Sequence, residues 1–416
     1  MRILFVDDEP RILDGLRRLL RPVHRDWDLH FATSGEQALA LLARARVDVV
    51  VSDMRMPGMD GATLLARVKK DSPDTVRIVL SGQAEVATML HAFGETHRFM
   101  AKPCDIALLE AIISGVSRYR GLVGSQRVQQ VVNATTLLPC QPSVREALAT
   151  SLMNAEATAE DIAAIVARDV AMTTIILKVA NSAYFRSTAG VADISRAVTF
   201  LGVDVIRALV LDHRVLGTVE GMPIGGLDLV HLREHSLRTA RLARALAAGH
   251  AGTRGQEGVA YLAGVVHDVG QLVLAGAMPD SYQRVNDLMR STTLARHAAE
   301  SRVFQASHGE VGAYLLTLWG FAGPLAEAVA YHEHPGDLTG DEFGLAGLLH
   351  VAHQLAAHPA CTDSSDPALA LDLRYLDRVG VLSSWPSWLA TAASLARTAE
   401  RSPDNGRGPE AARLRQ

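Results

Sequence analysis

Over its first 120 residues the chain alternates short apolar runs with stretches whose apolar positions recur every three or four residues. That is the pattern of a parallel sheet with crossover helices. The runs predict strands at Arg2 to Val6, Asp28 to Ala32, Val47 to Ser52, Val76 to Ser81 and Arg98 to Ala101. Between them, helical spacing covers Arg11 to Leu20, Glu36 to Ala43, Thr63 to Lys69 and Val86 to Phe93, with a last stretch from Ile106 to Tyr119. Five βα units in this order predict an α/β doubly wound domain over 1–120, with the strand order left open.

After Arg118 the sequence turns polar, and Leu138-Pro139-Cys140-Gln141-Pro142 is turn-forming, so 121–135 reads as a linker. The apolar spacing Ile112, Val116, Tyr119, Val123 would carry the last helix onward as a connecting rod, against which Gly121 and Gly124 argue. Beyond Pro142 helical spacing prevails, and an all-α region is expected over 136–357 with a helical extension over 358–401. Its longest predicted helices include Leu229 to Ala248, Gln256 to Leu274 and Ala298 to Trp319. The polar tail over 402–416 is expected to be disordered.

At 416 residues, several domains are expected rather than one core. The 48% hydrophobic and 21% charged composition is that of a globular protein, and Asp7 and Asp8 interrupt the first apolar run too early for a signal peptide. A cytoplasmic location without membrane insertion is the expectation. Cys104, Cys140 and Cys361 form no C-x-x-C pair and suggest neither a disulfide framework nor a thiolate metal site. A net charge of -4 gives no general attraction to nucleic acid.

The polar residues of the first domain fall at strand ends: Asp7 and Asp8 after the first, Asp53 after the third, Ser81 at the fourth, Lys102 after the fifth. In an open α/β sheet these ends share one crevice. Carboxylates crowded there repel by roughly 4 kcal/mol per close pair at an effective dielectric near 20, so a cation is needed. Hard oxygen donors suit Mg²⁺. Asp7 or Asp8 alone would read as a turn or cap residue; five suitable residues at strand ends do not.

The stretches Val6-Asp7-Asp8-Glu9, Ser52-Asp53-Met54-Arg55-Met56-Pro57-Gly58-Met59-Asp60-Gly61, Leu80-Ser81-Gly82 and Phe99-Met100-Ala101-Lys102-Pro103 closely resemble the response regulator receiver family. The resemblance implies that Asp53 is the phosphoacceptor, that Asp8, Asp53 and the Arg55 main-chain carbonyl hold Mg²⁺, and that Asp7 acts through a metal-bound water. It also implies a flavodoxin-like fold, that Ser81 and Lys102 receive the phosphoryl group, that the Lys102–Pro103 bond is cis, and that Phe99 is the aromatic switch. A sensor histidine kinase is the implied phosphoryl donor. Phosphorylation would draw Ser81 inward and reshape the face of the helix predicted over Val86 to Phe93.

Histidines in the helical region sit at informative places: His235, the His267-Asp268 doublet, His308, the His332/His334 pair and His353. Histidines from separate helices beside a His-Asp doublet are one way for a bundle to build a divalent metal site. His213, His250, His297 and His358 read instead as packing or capping residues.

The motifs Leu137-Leu138-Pro139, Leu177-Lys178-Val179-Ala180-Asn181-Ser182-Ala183-Tyr184, Ala197-Val198-Thr199-Phe200-Leu201-Gly202 and Glu234-His235-Ser236, with the doublet and His308 to Leu315, resemble the HDOD branch of the HD superfamily. Asp169 stands where that family often has Asp-Pro and reads as a helix cap; Asn181 reads as a helix end. Related HD-GYP enzymes hydrolyse cyclic di-GMP at a metal centre. This chain has Gln271 in place of their lysine after the doublet, lacks Gly-Tyr-Pro after His332, and carries His353 where a last aspartate ligand is expected. The resemblance therefore implies a regulatory, protein-binding HDOD output with an unknown downstream partner; the oligomeric state, a homodimer included, is left open by the sequence. The alternative is an HD-type phosphohydrolase using Fe, Mn or Zn on cyclic di-GMP or another nucleotide. A transcription factor is the weakest reading, because no winged-helix pattern follows the receiver and the basic tail Arg407 to Arg415 is short.

Overall fold

The computed structural model describes residues 1–82, 94–154, 156–182, 191, 193–211, 224–359, 361, 364, 366 and 369–401. The helix expected over Val86 to Phe93, the Ala183-Tyr184 end of one motif, His213, the glycine-rich break at 221–223 and the tail over 402–416 lie outside the described residues. The chain divides into two compact units, one formed by Met1–Arg233 with Val266–Ala330, the other by Glu234–Val265 with Tyr331–Gln416.

Strands β1 (Arg2–Val6), β2 (Asp28–Ala32), β3 (Val49–Asp53), β4 (Val76–Ser81) and β5 (Arg98–Ala101) make one parallel sheet in the order β2-β1-β3-β4-β5. β3 and β4 are buried at every residue, as a central parallel strand covered on both faces must be. Register sets Val6 beside Ser52, Asp53 beside Leu80 and Ser81 beside Ala101, so the polar strand ends share one edge. The helices α1 (Pro10–Val23), α2 (Gly35–Leu42), α3 (Gly61–Asp71) and α4 (Ile106–Leu122) follow the predicted order. α4 does not run on as a rod: the chain breaks, and Ser125 Oγ accepts from the Val128 amide to start α5 (Gln126–Ala134).

The helical region opens with α6 (Pro142–Met153), α7 (Ala159–Val166), α8 (Val170–Ala180), α9 (Ile194–Leu201) and α10 (Val203–Leu211). It continues with α11 (Leu229–Gly249), α12 (Glu257–Val266), α13 (Val269–Ala277), α14 (Pro279–Ser291) and α15 (Arg296–Phe304). The last elements are α16 (His308–Leu318), α17 (Gly323–Tyr331), α18 (Leu345–Ala357), α19 (Leu373–Arg378) and α20 (Trp385–Arg401). Asp169 caps α8 as expected, accepting from the Met172 and Gln141 amides. Asn181 ends the same helix and also fixes Val191 through both its amide and its carbonyl.

Two helices that the apolar spacing made continuous are broken. The stretch over Gln256 to Leu274 stops at Val266 and restarts at Val269, leaving His267 and Asp268 at the interruption. The stretch over Ala298 to Trp319 stops at Phe304, where Gln305 takes the left-handed conformation at φ 56°, and restarts under a Ser307–Glu310 capping box. Apolar periodicity continues across the second break because α15 and α16 both bury apolar residues in the same unit. Glu257–Ala277 is long and apolar enough to cross a membrane, but 83% of its most apolar window is buried within the fold.

Candidate functional site

At the carboxyl edge of the sheet Asp53 is the last residue of β3, and the chain turns at Gly58, φ 76°, into α3, which Asp60 caps through the Thr63 amide. Gly61, the first residue of α3, lies so close beneath that any Cβ there would overlap the Asp53 carbonyl. Asp7 and Asp53 are buried, 1% and 7% exposed, and Asp8 is more open. Oxygens of Asp7, Asp8 and Asp53 all lie within 4.8 Å of one another. Asp7 does serve as a turn residue, its Oδ1 accepting from the Glu9 amide two residues on, but neither Asp7 nor Asp8 caps α1, because Glu9 occupies the cap position.

Lys102 Nζ donates to Asp7 Oδ2 at 2.8 Å and pairs with Asp53 Oδ1 at 2.9 Å. Burial pulls the Lys102 ammonium pKa down, but its hydrogen bonds to Asp7 and Asp53 outweigh that and hold it above the usual lysine value. The lysine is therefore a fixed cation between two carboxylates. The Lys102–Pro103 bond is cis. Ser81 ends β4, 6% exposed, and its carbonyl accepts the Lys102 amide; Phe99 is buried on β5. Arg55 lies in the loop between β3 and α3, two residues past Asp53. Three carboxylates at one edge, the third facing solvent, fit a small hard cation such as Mg²⁺.

The predicted histidines fall into two groups, one in each unit. In the first unit Asp268 Oδ2 lies 3.3 Å from His267 Nε2, and Asp268 Oδ1 lies 3.2 Å from His308 Nε2. His308 opens α16, and its Nδ1 and backbone amide both donate to Glu300 Oε2, at 2.6 and 2.8 Å. Burial alone would lower the His308 pKa, but Glu300 and Asp268 raise it well above the usual histidine value. Next to this group Tyr282 donates to Gln271 Oε1 at 3.0 Å and accepts from Arg296 Nη1 at 3.1 Å. Through Tyr282 the Arg296 guanidinium is thus brought close to Gln271.

In the second unit His235 Nε2 and His353 Nδ1 share a 3.0 Å hydrogen bond, while Glu333 Oε1 lies 3.8 Å from His353 Nε2 and 4.0 Å from His332 Nε2. Glu333 places a carboxylate beside His353, the position where an aspartate was expected. His332 is fully buried, whereas His334 is exposed. His350, which the sequence did not single out, is structural: its Nδ1 donates to the His332 carbonyl and its Nε2 accepts the Asp372 amide. Burial lowers its pKa to about 4.

Glu300, Arg296, Tyr282 and Glu333 were not found by sequence reasoning. Motif spacing pointed to histidines, and the only signal for Glu300 was a charged residue on the buried side of α15.

Comparison with known families accounts for both parts. The response regulator receiver domain matches residues 3–114, and the HDOD domain matches residues 138–335. The chain carries a response regulator receiver domain followed by an HDOD domain, and it spans less than half the length of the curated relatives it matches. It is 25% identical over 200 residues to an uncharacterised protein of Treponema pallidum (strain Nichols), covering 47% of this chain and 38% of that protein. It is 36% identical over 103 residues to the hydrogenase transcriptional regulatory protein HoxA of Cupriavidus necator, covering 24% of this chain and 21% of HoxA. Among solved structures, the MmoQ response regulator of Methylococcus capsulatus str. Bath is 25% identical, with a TM-score of 0.46, covering 61% of this chain and 98% of that one.

Proposed function

We propose that Asp53 accepts a phosphoryl group from the phosphohistidine of a sensor histidine kinase, with Mg²⁺ held by Asp8, Asp53 and the Arg55 carbonyl, and that this controls the HDOD domain as a protein-binding output. The carrying observation is Lys102 held between Asp7 and Asp53 at the carboxyl edge of the sheet. A carboxylate oxygen of Asp53 attacks phosphorus as the donor's P–N bond breaks. Lys102 meets the charge that gathers on the phosphoryl oxygens, and the Ser81 hydroxyl donates to one of them. Asp7 keeps Lys102 aimed at that position and would help hold the metal when it is bound. Mg²⁺, when bound, supplies charge neutralisation there. Incubation with acetyl phosphate and Mg²⁺ tests the reading: wild type labels, and labelling of Asp53→Asn at the wild-type level overturns it.

For the output, Gln271, His353 and the absent Gly-Tyr-Pro element favour interaction over hydrolysis. Glu333 and Arg296 support the second reading, a metal-dependent phosphohydrolase, because within their own units they bring a carboxylate beside His353 and a cation near Gln271. Metal analysis separates the two: a purified protein without Fe, Mn or Zn that turns over no cyclic di-GMP when these are added removes the hydrolase.

A further inference from the structure

Four polar residues are fully or almost fully buried where the receiver meets the helical region: Arg77 on β4, His97 just before β5, Asn133 on α5 and Tyr314 on α16. Asn133 joins them. Its carbonyl accepts from His97 Nε2 at 2.7 Å and from Arg77 Nη2 at 3.1 Å, and its Oδ1 accepts from the Tyr314 hydroxyl at 2.7 Å. Its own side-chain amide donates to the Asp74 carbonyl. The tautomer of His97 follows, since its Nδ1 accepts the Arg77 amide and Nε2 must carry the proton given to Asn133.

The surrounding surface is built for close approach. Gly115 on α4 leaves room for Thr317 of α16, whose methyl would lie 3.2 Å from a Cβ there. Gly124 donates its amide to the Gln305 carbonyl, and Arg98 of β5 reaches toward the Thr317 carbonyl with its guanidinium against Gly320. The Arg77 guanidinium donates to the Glu95, Thr75 and Asn133 carbonyls, so this buried cation is held chiefly by main-chain oxygens. A buried polar junction of this kind is specific in geometry, so a shift at one member disturbs the others.

Two rigid elements connect this point to the two candidate sites. β5 and the residues flanking it lead from His97 to Lys102, the lysine bound to Asp7 and Asp53. α16 leads from Thr317 and Tyr314 back to His308, which faces Asp268 and Glu300. A pull on Lys102 by a phosphoryl group would act along β5 on His97 and Arg98, both of which hold the α16 junction. We propose that Asn133 and Tyr314 form the latch that couples the phosphoryl state of Asp53 to the position of α16, and through it to His308. This rests on the reading of Asp53 as phosphoacceptor.

Linkage makes the coupling reciprocal, so loosening the latch must change affinity at Asp53. The test uses the full chain with Mg²⁺ and beryllofluoride, reading binding by calorimetry and α16 by amide hydrogen exchange. Wild type is expected to show altered exchange over 308–318 on binding. Tyr314→Phe, which keeps the ring and loses only the hydroxyl, and Gly115→Val, which pushes on Thr317 from the receiver side, are each expected to shift beryllofluoride affinity at least about fivefold and to abolish the exchange response. Binding at unchanged affinity in both variants, or wild-type binding without any response in α16, overturns the latch alone. Absence of binding in wild type, or undiminished binding in Asp53→Asn, overturns the Asp53 reading and the latch with it.

Discussion

Glu300 Oε2 accepts two hydrogen bonds from His308, one from its Nδ1 and one from its backbone amide. With Nδ1 engaged, the imidazole presents Nε2 to Asp268, and the start of α16 is tied to α15 across the loop that reverses between them. Both side chains are shut off from water, so the pair acts as a buried structural bond whatever binds beside it.

Breaking that pair leaves an uncompensated buried group. Glu300→Ala is expected to lower unfolding free energy by about 3–5 kcal/mol. Chemical denaturation at pH 7 checks it; a loss under 1 kcal/mol contradicts the assigned role.

How much of this was legible in the sequence depends on what each residue does. Strand positions were legible because a parallel strand buried on both faces must be apolar throughout, and the receiver residues because each closes a strand. The interruptions at His267 and Gln305 were not, since apolar periodicity passes through them unchanged. Glu300, Arg296, Glu333 and Asn133 act through partners remote in sequence or on neighbouring helices, and no local pattern marks a polar residue whose partner the fold supplies. Arg77 left a faint trace, an arginine inside an otherwise apolar strand.

Lys178 sits almost entirely buried on α8 with its ammonium 4.2 Å from the Trp319 ring centre. Burial, with Arg77 and Lys69 nearby, lowers its pKa to about 7 from the usual value near 10.5. Because the folded form binds fewer protons than the unfolded chain between those values, the cost of this lysine is complete below pH 7 and fades as pH rises toward 10.5. Lys178→Met should therefore raise the melting temperature by several degrees at pH 6.5, with a smaller gain at pH 9. An equal gain at both pH values contradicts the burial argument.

Lys102 should act with opposite sign on metal and on phosphoryl group. Lys102→Met removes a cation about 3 Å from two carboxylates, so Mg²⁺ should bind more tightly while labelling by acetyl phosphate falls at least tenfold. Parallel Mg²⁺ titration and labelling rates check both signs; weaker Mg²⁺ binding would contradict the electrostatics.

Gly61 holds no chemistry, yet a side chain there would displace the Asp53 backbone. Gly61→Val should cut labelling of Asp53 at least tenfold in a chain that still folds, as followed by phosphoryl transfer and circular dichroism together. Wild-type labelling in a folded variant would show that the position tolerates a Cβ.

The most direct test of the central claim is mass spectrometry of the intact chain after incubation with acetyl phosphate and Mg²⁺, with peptide mapping of the modified residue. The account predicts one phosphoryl group, on Asp53, dependent on Mg²⁺ and lost in Asp53→Asn. A phosphoryl group on another residue, or equal modification of Asp53→Asn, would contradict it.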